Sequence, residues 1–157
     1  MKNRITVSIS DMKISRKRGE LLITHSLGSC LGLSAWDAVA GVGGLIHCLL
    51  PRASSPDVKN PFMYVNLGVP RMIRKMVSMG CTKGSMVFKA AGCGRMLLIQ
   101  NQFDTGAQNL ATLTALFAKN GVKLAAEDVG GSIPRTMSLD VETGLVTISS
   151  QGKEWEI

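Results

Sequence analysis

Aromatic residues are scarce in this 157-residue chain: four phenylalanines, two tryptophans and one tyrosine make up 4% of it, although 45% of the residues are hydrophobic. Its core must therefore be built from Leu, Ile, Val, Ala and Met, with nine methionines as unbranched filler. Histidine is scarcer still, His25 and His47 alone, and the four cysteines, Cys30, Cys48, Cys81 and Cys93, include no C-x-x-C pair. Structural zinc sites group four such ligands at short spacings, so neither a metal nor a cofactor is expected. No apolar run approaches the ~18 residues of a membrane span. Met1-Lys2-Asn3-Arg4-Ile5 also lacks the apolar stretch of a secretory signal. Reduced thiols, a cytoplasmic location and no membrane insertion are the expectation.

Acidic residues are outnumbered, 11 against 18 basic ones, for a net charge of +7. Lys13, Arg16, Lys17 and Arg18 form one basic group, and Arg71, Arg74 and Lys75 a second. The tryptophans and the tyrosine are not interleaved with them, which removes the stacking platform of single-strand nucleic-acid binders. No nucleic-acid partner is expected. A solvated basic surface and an acidic protein partner both remain open. A domain of this length buries roughly 68–70% of the surface its unfolded chain exposes, so residues 1–157 read as a single domain without staples.

The pattern along the chain predicts an α+β fold rich in strands. Weak alternation marks a strand over 4–10, followed by a polar loop over 11–20. Further strands are expected at Leu21–Thr24, Cys30–Trp36, Gly41–Leu50, Ser85–Ala91 and Lys123–Asp128, with a hairpin of 135–141 and 145–150 across Glu142-Thr143-Gly144. Apolar residues at helical spacing predict helices over 62–79, with Pro70 inside, and over about 106–120, capped by Asp104 or Thr105 and closed by Gly121. The Ser-, Pro- and Asn-rich segment 52–61 follows the strand that carries His47. It is read either as a flap over that strand's end or as a plain surface connection.

One pair of residues stands out. If Asp37–Ala40 is the loop of the hairpin from Cys30 to Leu50, Trp36 pairs with Gly41 and Cys30 falls directly opposite His47. Opposed residues share a face with Cβ atoms about 4.5–5.5 Å apart. Gly32 and Gly43 then flank the pair and leave room for a substrate. A histidine within reach can take the thiol proton, hold the thiolate as an ion pair and return the proton to a leaving group. Thr24 on the preceding strand is a candidate to orient the imidazole. Cysteines are commonly small buried hydrophobes, and hairpins oppose many innocent pairs, so spacing alone leaves thiol chemistry and packing both open.

Thr24-x-x-Leu27-Gly28-Ser29-Cys30, Asp37, and Gly43-Gly44-Leu45-Ile46-His47-x-Leu49-Leu50-Pro51 together resemble the CheD chemoreceptor glutamine deamidases. Ala91-Gly92, Gly106-x-x-Asn109, Gly121-Val122 and Glu127-Asp128-x-Gly130-Gly131 with Arg135 continue the likeness, which spans about residues 5–150. The resemblance implies packed mixed and antiparallel β-sheets flanked by helices, like the cytotoxic-necrotizing-factor-type cysteine hydrolases. It implies conversion of chemoreceptor glutamines to glutamate, with Cys30 as nucleophile, His47 as general base and acid, and Thr24 orienting His47. Backbone N–H groups of Ser29 and Cys30 are expected to form the oxyanion hole. Gly28, Gly92 and Asn109 join Gly43 as expected substrate contacts. Chemoreceptor cytoplasmic domains and a CheC-type phosphatase are the implied partners. The chain departs from the family pattern at His25, Asn66, Pro70 and Gln108, and in Gly92–Leu97, which lacks a second adjacent glycine and a phenylalanine. A binding module that kept the fold, and a cysteine hydrolase of another amide or ester, are the competing readings.

Overall fold

The computed structural model describes residues 1–96 and 104–157. Two five-stranded sheets pack face to face. The first holds β1 (Asn3–Thr6), β3 (Glu20–Leu27), β8 (Arg135–Asp140), β9 (Val146–Ser150) and β10 (Lys153–Glu156), in the order β1-β3-β8-β9-β10. The second holds β2 (Asp11–Ser15), β4 (Leu31–Asp37), β5 (Val42–Cys48), β6 (Met86–Gly92) and β7 (Leu124–Val129), in the order β2-β5-β4-β6-β7. β1 and β3 pair in parallel, as do β6 and β7; the other pairings are antiparallel. The expected α+β class with mixed sheets is what forms.

Strand periodicity assigns the two cores. Leu31, Leu33, Val42 and Ile46 meet Val65, Val69, Met72, Met76, Leu113 and Phe117 of α1 (Val65–Ser78) and α2 (Thr105–Asn120). Leu45 instead meets Leu22, Leu27, Met137, Leu139 and Ile148 of the first sheet. The layers are therefore sheet, sheet, helices. Both helices lie on the second sheet, and no helix among the described residues covers the outer face of the first. β5 is buried along its whole length because it is covered on both faces, which is why its sequence shows no alternation of apolar and exposed polar residues. No helix among the described residues is long and apolar enough to cross a membrane.

Three expectations need correction. Residues 11–20 are not all loop, because Asp11–Ser15 forms edge strand β2, paired with β5. Only Met12 and Ile14 carry its apolar alternation. β10 forms although its sequence, Lys-Glu-Trp-Glu, is mostly charged and carries no strand signal. The register of the β4–β5 hairpin is shifted by two: Asp37 pairs with Val42, and Gly32, not Cys30, faces His47. Segment 52–61 is tied back by Asn66 Oδ1, which accepts from Ala53 N–H (3.1 Å), and by Asn60 Nδ2, which donates to Ser10 O (2.8 Å). Pro70 sits in the second turn of α1, which continues past it for two turns.

Asp37 explains the register. It stays in β4, and its Oδ1 accepts from the N–H groups of Val39 (3.0 Å) and Ala40 (2.9 Å). Gly41 then completes the turn at φ +68°, donating to the Asp37 carbonyl at 2.8 Å. Oδ2 accepts from Thr82 N–H at 3.0 Å and from the Ser85 hydroxyl. Burial raises the carboxyl pKa, but these hydrogen bonds outweigh it and hold the group below its ordinary value. A depressed folded pKa means that the stabilisation is complete above the unfolded value and is lost as pH falls through the folded one. Asp37→Asn turns one acceptor into a donor facing the Thr82 N–H. It is expected to cost about 1–3 kcal/mol in urea unfolding at neutral pH, with the gap to wild type closing in acid. Equal stability at neutral pH would show that the carboxylate does not organise this turn.

Candidate active site

The site begins with a fault in β3. Thr24 pairs with Met137 and Leu27 with Arg135, so three steps on β3 match two on β8. This bulge has Ser26 at φ +61°. It resets the phase of the strand, so that Leu22, Thr24 and Leu27 all face inward, each fully buried. Beyond it the chain turns through Gly28-Ser29-Cys30 and enters β4 of the opposite sheet. Thr24 and His47 therefore meet across the space between the two sheets.

The Thr24 hydroxyl lies 2.7 Å from the Val7 carbonyl oxygen and 2.7 Å from His47 Nδ1. A carbonyl only accepts, so the single hydroxyl hydrogen goes to Val7, and Thr24 Oγ1 must accept from Nδ1–H. The tautomer is thereby set: Nδ1 carries the proton and Nε2 presents a lone pair. Nε2 is buried and makes no hydrogen bond among the described residues. Cys30 lies two residues before Gly32, the partner of His47, and on the same face. The shifted register thus makes it the diagonal rather than the direct neighbour of His47, and the Cys30 sulfur makes no hydrogen bond to Nε2 in this conformation.

Burial lowers the His47 pKa to about 4. It also raises that of Cys30, an effect only partly offset by the residue's own backbone N–H beside the sulfur. Removal from water penalises both charged forms, so burial favours a neutral thiol at Cys30 and a neutral imidazole at His47 over an ion pair. Cys30 lines a pocket of about 220 Å3 with Ser26, Gly28, Ser29, Gly94, Arg95, Met96, Asp104 and the first two residues of α2, Thr105 and Gly106. Asp104 caps α2 by accepting from Ala107 N–H at 3.1 Å, so the positive end of a 16-residue helix borders the thiol. The pocket is bordered by none of residues 52–61, which excludes them as a lid over Cys30 in this conformation.

Of the expected substrate contacts, only Gly28 borders the pocket. A Cβ on Gly43 would stand 3.1 Å from Leu139, and one on Gly32 2.8 Å from Leu27; their missing side chains admit the opposite sheet, not a substrate. Gly92, at φ +93°, would place a Cβ 2.3 Å from the Cys30 carbonyl oxygen, so it lets β6 pass under the thiol's backbone. Asn109 is fully buried, and its Nδ2 donates to the carbonyls of Ser29 (2.9 Å) and Leu49 (3.2 Å). Both amide hydrogens are spent on backbone, leaving none for a substrate. Leu97, part of the loop where the chain departs from the family pattern, lies outside the described residues.

The other thiols are poor rivals. Cys93 is buried in the helix-side core, and burial pushes its pKa up to about 12; Cys48 is buried on the same side with its pKa raised further. Arg135 is a residue whose role spacing did not suggest. Buried beside Asp128 (Nε to Oδ1, 2.8 Å), it also donates to Gly130 O at 2.8 Å and Gly92 O at 3.4 Å. It thereby joins the Gly92–Gly94 loop under Cys30 to the Gly130-Gly131 bend. Its position just after that glycine pair was the available signal.

A family model described as CheD chemotactic sensory transduction matches residues 49–150. A probable chemoreceptor glutamine deamidase CheD 1 of Syntrophus aciditrophicus is 38% identical, the alignment covering 94% of each chain. Probable chemoreceptor glutamine deamidases of Solibacter usitatus (32%, covering 98% of this chain and 93% of that one) and Anaeromyxobacter dehalogenans (36%, 93% and 94%) match over similar spans. With the family model covering well over half of the sequence and these relatives nearly all of it, the chain belongs to the CheD family.

Proposed function

We propose that this protein is a chemoreceptor glutamine deamidase, turning receptor glutamine side chains into glutamates with release of ammonia. The observation that carries the mechanism is the bare Nε2 of His47, fixed by Thr24 on the face that Cys30 shares. The Cys30 sulfur attacks the glutamine Cδ while its proton passes to Nε2, so that no free thiolate has to form in a buried site. The carbonyl becomes an oxyanion, and the backbone N–H groups of Cys30 and Ser29, beside the α2 N-terminus, supply the donors. His47, held through Nδ1–H on Thr24, passes the proton to the amide nitrogen. The C–N bond breaks, ammonia leaves, and a thioester remains. Water then gives its proton to Nε2 as it attacks the thioester carbon. The C–S bond breaks, the proton returns to sulfur, and glutamate is released.

The excess of positive charge suits an acidic receptor surface. The same reading takes 1–157 as one domain, places it in the cytoplasm where the receptor signalling domains lie, and keeps a CheC-type phosphatase as a second partner. Incubation with purified chemoreceptor cytoplasmic domains is expected to yield site-specific Gln-to-Glu conversion by peptide mass spectrometry, with one ammonia released per glutamate. A complete set of native receptors left unconverted would refute the activity and favour a binding role for the fold.

A further inference from the structure

A glutamine side chain fits the 220 Å3 pocket at Cys30, but the protein that carries it does not. Its backbone must lie on the surface beside the entrance. One wall of the pocket is Ser26, the bulged residue of β3, and Ser26 also borders a second, open depression of about 580 Å3. This depression runs across the outer face of the first sheet, which carries no helix among the described residues. Strand register lines it with one cross-strand row. His25 meets Thr136 (Nδ1 to Oγ1, 3.3 Å), Thr136 pairs with Ser149, and Ser149 pairs with Glu154, with Gln151 and Lys153 closing the far end. Every member of the row offers a donor or an acceptor, and strand alternation ahead of the bulge turns Thr24 inward and leaves His25 exposed next to Ser26, the residue the two cavities share.

We propose that this row is the docking track for the receptor segment flanking the target glutamine, and that it sets which glutamines are taken. The inference rests on the deamidase reading above. Its occupant is a polar stretch of receptor surface, hydrogen-bonded to His25, Thr136 and Ser149 and read for charge by Lys153 and Glu154. Continuity with the catalytic pocket through Ser26 carries the choice of occupant.

Two single substitutions test it. Thr136→Arg fills the middle of the track, and Lys153→Glu reverses charge at the end remote from Cys30. Each is assayed in the full chain for deamidation of receptor cytoplasmic domains, and for alkylation of Cys30 by iodoacetamide as a measure of an intact pocket. The expected result is a fall of about tenfold or more in kcat/KM on the receptor, carried by KM, with the alkylation rate of Cys30 unchanged. Receptor deamidation at wild-type rates in both variants overturns the track, as does a parallel loss of Cys30 alkylation. A wild-type protein that converts no receptor refutes the deamidase reading and the track together, whereas an active wild type with equally active variants refutes the track alone.

Discussion

Replacing Cys30 by alanine is expected to reduce receptor deamidation to background, and replacing His47 by glutamine to slow it by about 10³–10⁴-fold. Glutamine can still place an amide N–H on Thr24 Oγ1, so the second variant keeps the local packing and removes only the proton acceptor. The reason for the large loss is the neutrality of the resting pair. Burial raises the Cys30 pKa and lowers that of His47 to about 4, so in the proposed mechanism the sulfur attacks only as its proton leaves to Nε2. Without that acceptor the thiol is a weak nucleophile at neutral pH. The pH dependence of Cys30 alkylation separates this account from an ion-pair mechanism. The rate is expected to climb steadily between about pH 6 and 9, without an acid plateau. A plateau extending below about pH 6 would reveal a standing thiolate–imidazolium pair, and wild-type turnover in His47→Gln would remove His47 from the chemistry. Protonation of His47 also couples to folding. Its folded pKa lies below the unfolded one, so its contribution to stability is complete above about pH 6.5 and is lost as pH falls toward 4.

The Cys30–His47 relationship was legible in the sequence because strand periodicity forgives an even error. The hairpin register reasoned from an Asp37–Ala40 loop is off by two, since Asp37 remains in the strand and Gly41 supplies the left-handed turn residue. A shift of two leaves every side chain on its face, whereas a shift of one would have sent Cys30 into the helix-side core. Thr24 is a candidate from its place on the preceding strand, but spacing does not show the contact, and the orienting role is what the family resemblance implies. Its contact with His47 crosses from one sheet to the other, and no spacing along the chain encodes which sheets pack together. The glycines show the opposite failure. Gly32 and Gly43 beside a candidate nucleophile suggest an open substrate path, yet the space they leave is occupied by Leu27, Met137 and Leu139. An absent side chain records a close approach without saying what approaches. β2 and β10 were hidden for a related reason: as short edge strands with charged residues they carry little apolar signal.

Asn109→Ala is expected to lower kcat by about 100-fold with KM nearly unchanged, and to cost about 2–5 kcal/mol of stability. The side chain reaches from α2 to the Ser29 carbonyl, one residue before Cys30, and to the Leu49 carbonyl, two residues after His47. It is thus the one described side chain that hydrogen-bonds both the Cys30 turn and the chain leaving His47. Its removal strands two buried acceptors and lets the turn and the strand end drift apart. Its Oδ1 accepts no hydrogen bond among the described residues, so the hydrogen bonds its removal breaks there are those of Nδ2. That makes the aspartate variant, Asn109→Asp, informative. It sets a carboxylate against two carbonyl oxygens, so N109D should be worse than N109A at neutral pH and recover partly in acid, where the protonated acid donates one hydrogen bond. A merely structural role would lower the amount of folded protein without moving the kcat of what remains. A wild-type kcat in folded N109A would therefore leave the alignment of Cys30 and His47 to the sheets alone.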